Sequence, residues 1–224
     1  HQKGQVERSF FKEYKACLKH KNFMVYITSF TCYQILVSLM TGSINYIALF
    51  ALKVPASAVM PIMAGLLVGM MCSMPVWMKI ANKTDNDRRT FILASFFLAI
   101  MTVPLFFIDD YFIMIIGVII WGFFEGAYWV MISPVGSTVI DESVVMTSER
   151  REGIYQGFQA FVTRAALIVQ AVSFSVIHSI TGFVEGSSTQ TPEAILGIRI
   201  HFALLPAIFM LIGAVILWRF FDLT

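Results

Sequence analysis

Six stretches of this chain are each long and apolar enough to cross a lipid bilayer, and no other feature restricts its fold as strongly. Lipid offers backbone N–H and C=O groups no partners, so a run of about 20 apolar residues must satisfy them internally, as a helix. The runs fall at about 23–52, 56–80, 90–108, 111–135, 154–181 and 199–221. The intervening breaks have local reasons: Lys53-Val54-Pro55, the charged run 82–89, Asp109-Asp110, 141–153 and 182–197. Composition agrees, since 58% of the 224 residues are hydrophobic and 13% charged. Mean hydropathy is +0.76, which excludes a water-soluble globule. The expected fold is an all-α membrane protein of six transmembrane helices: a domain over 22–224, preceded by a basic arm over 1–21.

Cations orient the chain, because cytoplasmic loops retain Lys and Arg during insertion. One side collects Lys3, Arg8, Lys12, Lys15, Lys19 and Lys21 of the arm, Lys79, Lys83, Arg88 and Arg89, then Arg150, Arg151 and Arg219; the other has Lys53 and Arg199. Both ends of the segment are therefore expected in the cytoplasm. In the arm, Phe10, Phe11, Tyr14 and Leu18 recur among lysines, a pattern suited to an amphipathic surface helix. The arm reads first as a solvated interfacial segment and second as a lipid-specific site. The chain lacks an initial Met and opens on polar residues, as the later part of a longer chain would.

A net charge of +2 gives no reason to expect a nucleic-acid partner. Cys17, Cys32 and Cys72 form no metal-ligand spacing, so no cofactor and no metal is expected. The methionines of the second run read as adaptable packing, and Gly65-x-x-x-Gly69 beside them as a place where another backbone comes close.

Function is best sought where polarity is expensive. A charge near the bilayer centre costs roughly 2.5–3.5 kcal/mol even on the lenient insertion scale. Glu125 sits about fourteen residues into the fourth run and Arg164 about ten into the fifth, which at helical rise puts both near mid-depth. Trp121, Glu125, Tyr128 and Trp129 follow i, i+4, i+7 and i+8, one face with a carboxylate among rings. Gln156, Gln159, Thr163, Arg164 and Gln170 form a stripe on the fifth run; Thr31, Gln34, Ser38, Thr41 and Asn45 form another on the first. Facing one another, the three would line a watered cavity for a polar solute, with Trp121, Tyr128 and Trp129 stacking on it. The alternatives are interhelical hydrogen bonds that only hold the bundle together, and a permanent Glu125–Arg164 ion pair. His178 is expected at the interface and His201 near the surface, neither as a proton relay.

Asp141-Glu142, then Thr147-Ser148-Glu149-Arg150-Arg151-Glu152-Gly153-Ile154-Tyr155, Phe158, Phe161 and Arg164, resembles the acidic patch, basic loop and following helix of the glycoside–pentoside–hexuronide cation symporters, the melibiose-permease-like branch of the major facilitator superfamily. Pro75-Val76-Trp77, the basic turn 83–89, and Pro192 to Arg199 with Pro206 resemble further parts of that family. The likeness implies the second six-helix half of a twelve-helix transporter whose halves enclose a midplane site and tilt alternately. It implies a substrate or coupling role for Arg164, and a cytoplasmic gate of Asp141, Glu142, Arg150, Arg151 and Glu152 pairing with the other half. A coupling sodium or proton would be held mainly by the N-terminal half.

The expected function is cation-coupled symport of a sugar, glycoside or similar small polar solute, in the cell (plasma) membrane, with the lipid bilayer and the chain's own N-terminal six-helix half as partners. Carriage of a lysolipid or other amphiphile is the nearest alternative, favoured by a lateral apolar opening. A non-transporting receptor or assembly subunit is another. An enzyme is not expected, since no nucleophile or acid/base motif accompanies the polar faces, nor a channel, since no filter loop or ring of like charge is present.

Overall fold

The computed structural model describes residues 17–84, 86–147 and 152–222. Six helices are long and apolar enough to span a membrane: α1 (Lys21–Ala51), α2 (Ala56–Thr84), α3 (Asp87–Phe107), α4 (Tyr111–Val145), α5 (Gly153–Thr181) and α6 (Pro192–Phe220). No strand occurs among the described residues.

The helices outrun the hydropathy signal at several ends. The second helix runs to Thr84 and the third starts at Asp87, where Asn86 caps it by accepting from the Arg89 backbone N–H at 2.8 Å. The charged run 82–89 is therefore mostly helix, not loop. α4 continues through Pro134 to Thr147, so much of 141–153 is helical too. Proline there costs the helix one bond but does not end it. α6 starts at Pro192, where proline suits a first helical position and Thr191 accepts from the Ala194 N–H at 3.2 Å. A widened π turn, Ile200–Leu204, lies just ahead of Pro206 and takes up the register that its missing N–H disturbs.

α1, α3, α4 and α6 form the centre of the bundle, with α1 on α6, α6 on α3 and α3 on α4. α5 flanks α1, and α2 flanks α4. Each flanking helix thus packs on the first helix of the other triplet, as expected of a fold built from two three-helix repeats. Burial follows this plan: 61% of the α1 window is buried, against 22% for α2 and 6% for α5.

The α2–α4 contact is the tightest. A Cβ on Gly69 would strike the Ile119 backbone, and one on Gly126 would strike Ser73 Oγ and the Met70 carbonyl. Small residues bring the two backbones together, as Gly65-x-x-x-Gly69 indicates. α1 and α4 meet instead through large rings: Tyr33 stacks on Tyr128 with centroids 4.2 Å apart, and the Tyr26 hydroxyl donates to the Ile132 carbonyl at 3.2 Å.

On the side away from the basic residues, Arg199 of α6 donates to the carbonyls of Phe106 (2.9 Å) and Ile108 (3.3 Å). It also pairs with Asp109. One guanidinium thereby fixes the α3–α4 turn to α6.

Candidate functional site

Glu125 is the buried charge around which the site is built. It is 5% exposed. Its Oε1 accepts a hydrogen bond from the Tyr33 hydroxyl at 3.1 Å, while Oε2 is buried with no hydrogen-bond partner. The Trp129 side chain approaches the same carboxylate and is itself 48% exposed. An acceptor desolvated without a donor is costly, so this oxygen is placed to receive one. Glu125, Trp121 and Thr41 border a chamber of about 40 Å³ between α1, α2 and α4, whose remaining wall is apolar, with Met40, Ile62, Leu66 and Phe202. It has room for water-sized donors, not for a sugar ring.

A second cavity, of about 110 Å³, lies between α1, α4 and α5 toward the basic side. Ser133, Ser137, Gln156, Gln159 and Tyr26 supply its polar wall, and the rings of Phe23 and Tyr155 part of the rest. Gln159 Nε2 donates to the Tyr26 hydroxyl at 2.8 Å, so one phenol joins α4 and α5 through α1. Nearby, Gln34 Nε2 donates to Thr163 Oγ1 at 2.7 Å, and Thr163 donates in turn to the Gln159 carbonyl at 2.9 Å. These polar groups hold α5 to α1 and, in the case of Gln156 and Gln159, also line the cavity.

Several expected positions fall elsewhere. Glu125 and Arg164 do not face each other, because α5 packs on α1 rather than on α4. Arg164 is exposed on the side of α5 turned away from the buried Phe158 and Ala166 and the partly buried Val162. It has no ion-pair partner among the described residues. Tyr128 does not present its ring to a solute: it is fully buried, stacked on Tyr33 and 4.9 Å from the Phe91 centroid. Trp121 offers only an edge to the chamber, since its indole N–H donates to Thr102 Oγ1 at 2.8 Å inside the bundle. Of the three rings, Trp129 is the exposed one. Asn45 and Thr41 are exposed on α1, toward its end far from the basic side.

The expected gate is only partly in view. Asp141 is exposed. Glu142 is held within this chain: it accepts from Asn22 Nδ2 at 2.8 and 3.0 Å and pairs with His20 Nε2 at 2.7 Å. The extension of α4 past Val135 carries Glu142 down to the start of α1. Asn22 Oδ1 accepts from the Asp222 N–H at 3.2 Å, joining three helix ends. Arg150, Arg151 and the side chain of Glu152 lie outside the described residues, as do Phe10, Phe11 and Tyr14 of the arm.

Sequence reasoning missed Tyr33, the partner of Glu125, which no polar stripe contains. It also misplaced His201, which is completely buried rather than near the surface. Its Nδ1 is 2.5 Å from Ser43 Oγ on α1 and its Nε2 3.0 Å from Ser173 Oγ on α5. A neutral imidazole can donate to one serine and accept from the other, so His201 ties α6 to both neighbours. His178 is likewise buried, with its ring 3.7 Å from the Phe174 centroid.

Six apolar helices arranged as two triplets, with a buried carboxylate between them, define a polytopic membrane protein of the major-facilitator kind. Residues 2–224 match the family described as MFS/sugar transport protein, and the chain belongs to that family. It is an integral, multi-pass membrane protein. A curated relative, the glucuronide carrier protein homolog of Escherichia coli (strain K12), is 34% identical over 79 residues, which cover 35% of this chain and 17% of that protein.

Proposed function

We propose that this chain is the C-terminal half of a secondary active transporter that carries a sugar or glycoside, coupled to a sodium ion or proton, by alternating access. The single observation that carries the reading is Glu125, a carboxylate buried at membrane depth between Tyr33 and the exposed Trp129. A charge so placed has a use in a transport path and little in a greasy scaffold. The exposed Trp129 beside it offers a ring to an apolar sugar face. Family membership supports a sugar as cargo. The relative's name is in keeping with a glycoside that bears a carboxylate, for which the exposed guanidinium of Arg164 would be a fitting partner.

On this reading an N-terminal six-helix half covers α2 and α5, the two least buried helices, and holds most of the cation site. The basic side faces the cytoplasm of a plasma-membrane protein. Asp141, Glu142, Arg150, Arg151 and Glu152 close the cytoplasmic gate, and the chain carries out no covalent chemistry.

The test is uptake by the full-length transporter in proteoliposomes, with a radiolabelled β-glucuronide and a neutral glycoside under imposed sodium or proton gradients. Accumulation driven by one of the gradients is expected. Absence of flux with either sugar under both gradients would overturn the proposal. The apolar wall of the Glu125 chamber favours one second reading, carriage of an amphiphile; uptake of a labelled lysophospholipid in place of both sugars would establish it.

A further inference from the structure

A third cavity has no part in the proposed path. It measures about 400 Å³ and lies at the basic side between the start of α3 and the end of α6, lined by Asn86, Arg88, Arg89, Ile92, Leu93 and Trp218. Half of that wall is polar and cationic, half is apolar. Arg88 Nε is buried without a hydrogen-bond partner, and neither arginine is in an ion pair among the described residues. The carboxylate that bears on Arg88 is Asp222, which is already paired with Lys21. The Lys21 hydrogen bond, with a smaller contribution from Arg88, holds the Asp222 carboxyl below its ordinary range. Asp87, the acid in the first turn of α3, is exposed. Two guanidinium groups thus converge on one cavity with no ion-pair partner among the described residues.

The apolar half continues along the bundle. Trp218 is 61% exposed. Above it on the same face of α6 stand Val215 and Leu211, and on α3 Leu93 and Ile100 rise in line with Arg89, all exposed. A soluble anion has no use for such stripes. A lipid needs both parts: phosphate on the arginines, acyl chains along the stripes, and an indole at the headgroup level.

We infer that this cavity binds the phosphate headgroup of an anionic phospholipid, with Arg88 and Arg89 as the anion-binding pair and Trp218 as the interfacial wall. Phosphate accepts several N–H donors at once, and two forked guanidinium groups supply them in matching geometry.

Brominated lipids quench nearby indoles and so report occupancy at Trp218. The full-length transporter is titrated in phosphatidylcholine nanodiscs with brominated phosphatidylglycerol or brominated phosphatidylcholine, and the quenching lost in Trp218→Phe is taken as the signal. The anionic lipid is expected to reach half-quenching at roughly tenfold lower mole fraction, given two cations each attracting the headgroup. Arg88→Gln/Arg89→Gln is expected to remove the preference, and the single, exposed change Arg89→Gln to reduce it. Melting in phosphatidylcholine alone must stay unchanged in the variants used, and Arg89→Gln serves if the double variant misfolds. Equal quenching by the two lipids in the wild type, or a preference that survives the arginine changes, would overturn the inference. Inorganic phosphate that competes away the preference at millimolar concentration would instead identify a soluble-anion site and reject the lipid.

Discussion

Tyr33 and Glu125 are joined across the α1–α4 interface by a hydrogen bond of 3.1 Å from the phenol to Oε1, and the other oxygen of the carboxylate is left without a partner. α1 and α4 are the first helices of their respective triplets, so this bond connects the two repeats at membrane depth. Glu125→Gln keeps the size of the side chain and removes its charge, and it is expected to abolish gradient-driven uptake while leaving membrane insertion intact. Tyr33→Phe removes one donor and is expected to cost roughly tenfold in uptake, in line with a net 1.5–3 kcal/mol for a hydrogen bond to a charged group. Uptake and surface expression measured together check both; wild-type uptake in Glu125→Gln removes the residue from the path.

Arg164 stands exposed on α5 with no ion-pair partner among the described residues. Arg164→Ala is expected to abolish uptake of a carboxylated glycoside and to leave the melting temperature within a degree or two, since no folded contact is lost. Arg164→Lys keeps the charge and loses the fork, so partial uptake with raised KM is expected. Uptake kinetics for acidic and neutral glycosides separate the effects.

Two glycines predict opposite outcomes for the same change. At Gly69 an added methyl meets the Ile119 backbone, which cannot step aside; Gly69→Ala is expected to cost about 1–3 kcal/mol. At Gly42 the methyl meets the amide end of Gln170, a flexible side chain that can turn away, so Gly42→Ala is expected to be tolerated. Thermal unfolding of the two variants in one detergent is the comparison.

The Arg199 cluster allows a similar contrast. The Arg199 side chain is 14% exposed and donates to two backbone carbonyls, whereas Asp109 is 80% exposed. Arg199→Ala is expected to cost about 2 kcal/mol by orphaning those carbonyls. Asp109→Ala should cost less than about 1 kcal/mol, as an ion pair screened by solvent does. Denaturation midpoints of both variants, and of the double variant, measure the coupling.

Hydropathy made the six spans and their all-helical character legible, because bilayer thickness imposes a length that composition alone can display. It could not mark where α4 ends, since helical hydrogen bonds continue past Val135 into polar residues that no longer need lipid. Nor could periodicity assign partners. The stripes on α1 and α5 were visible, but a stripe gives the direction of a face only relative to its own helix. Glu125 meets Tyr33 of α1 while Arg164 lies exposed on α5, because α5 packs on α1 rather than on α4. Tyr33 was hidden for a related reason: a tyrosine in an apolar run looks like packing until a carboxylate from a helix some ninety residues away reaches its hydroxyl. His201 looked superficial because the apolar run starts near Arg199, whereas the helix itself starts at Pro192 and carries the histidine deeper into the bundle.

The meeting of α2 with α4 leaves little space between main chains, and a main chain has no rotamers to exchange. Such a seam has few intermediate settings: it stays shut or parts altogether. The grip of α1 on α5 is of another kind: beside its rings and aliphatic contacts it has amides and hydroxyls that can swap one partner for the next in small increments. The bundle therefore contains one rivet and one ratchet, and displacement between its helices is cheapest along the second.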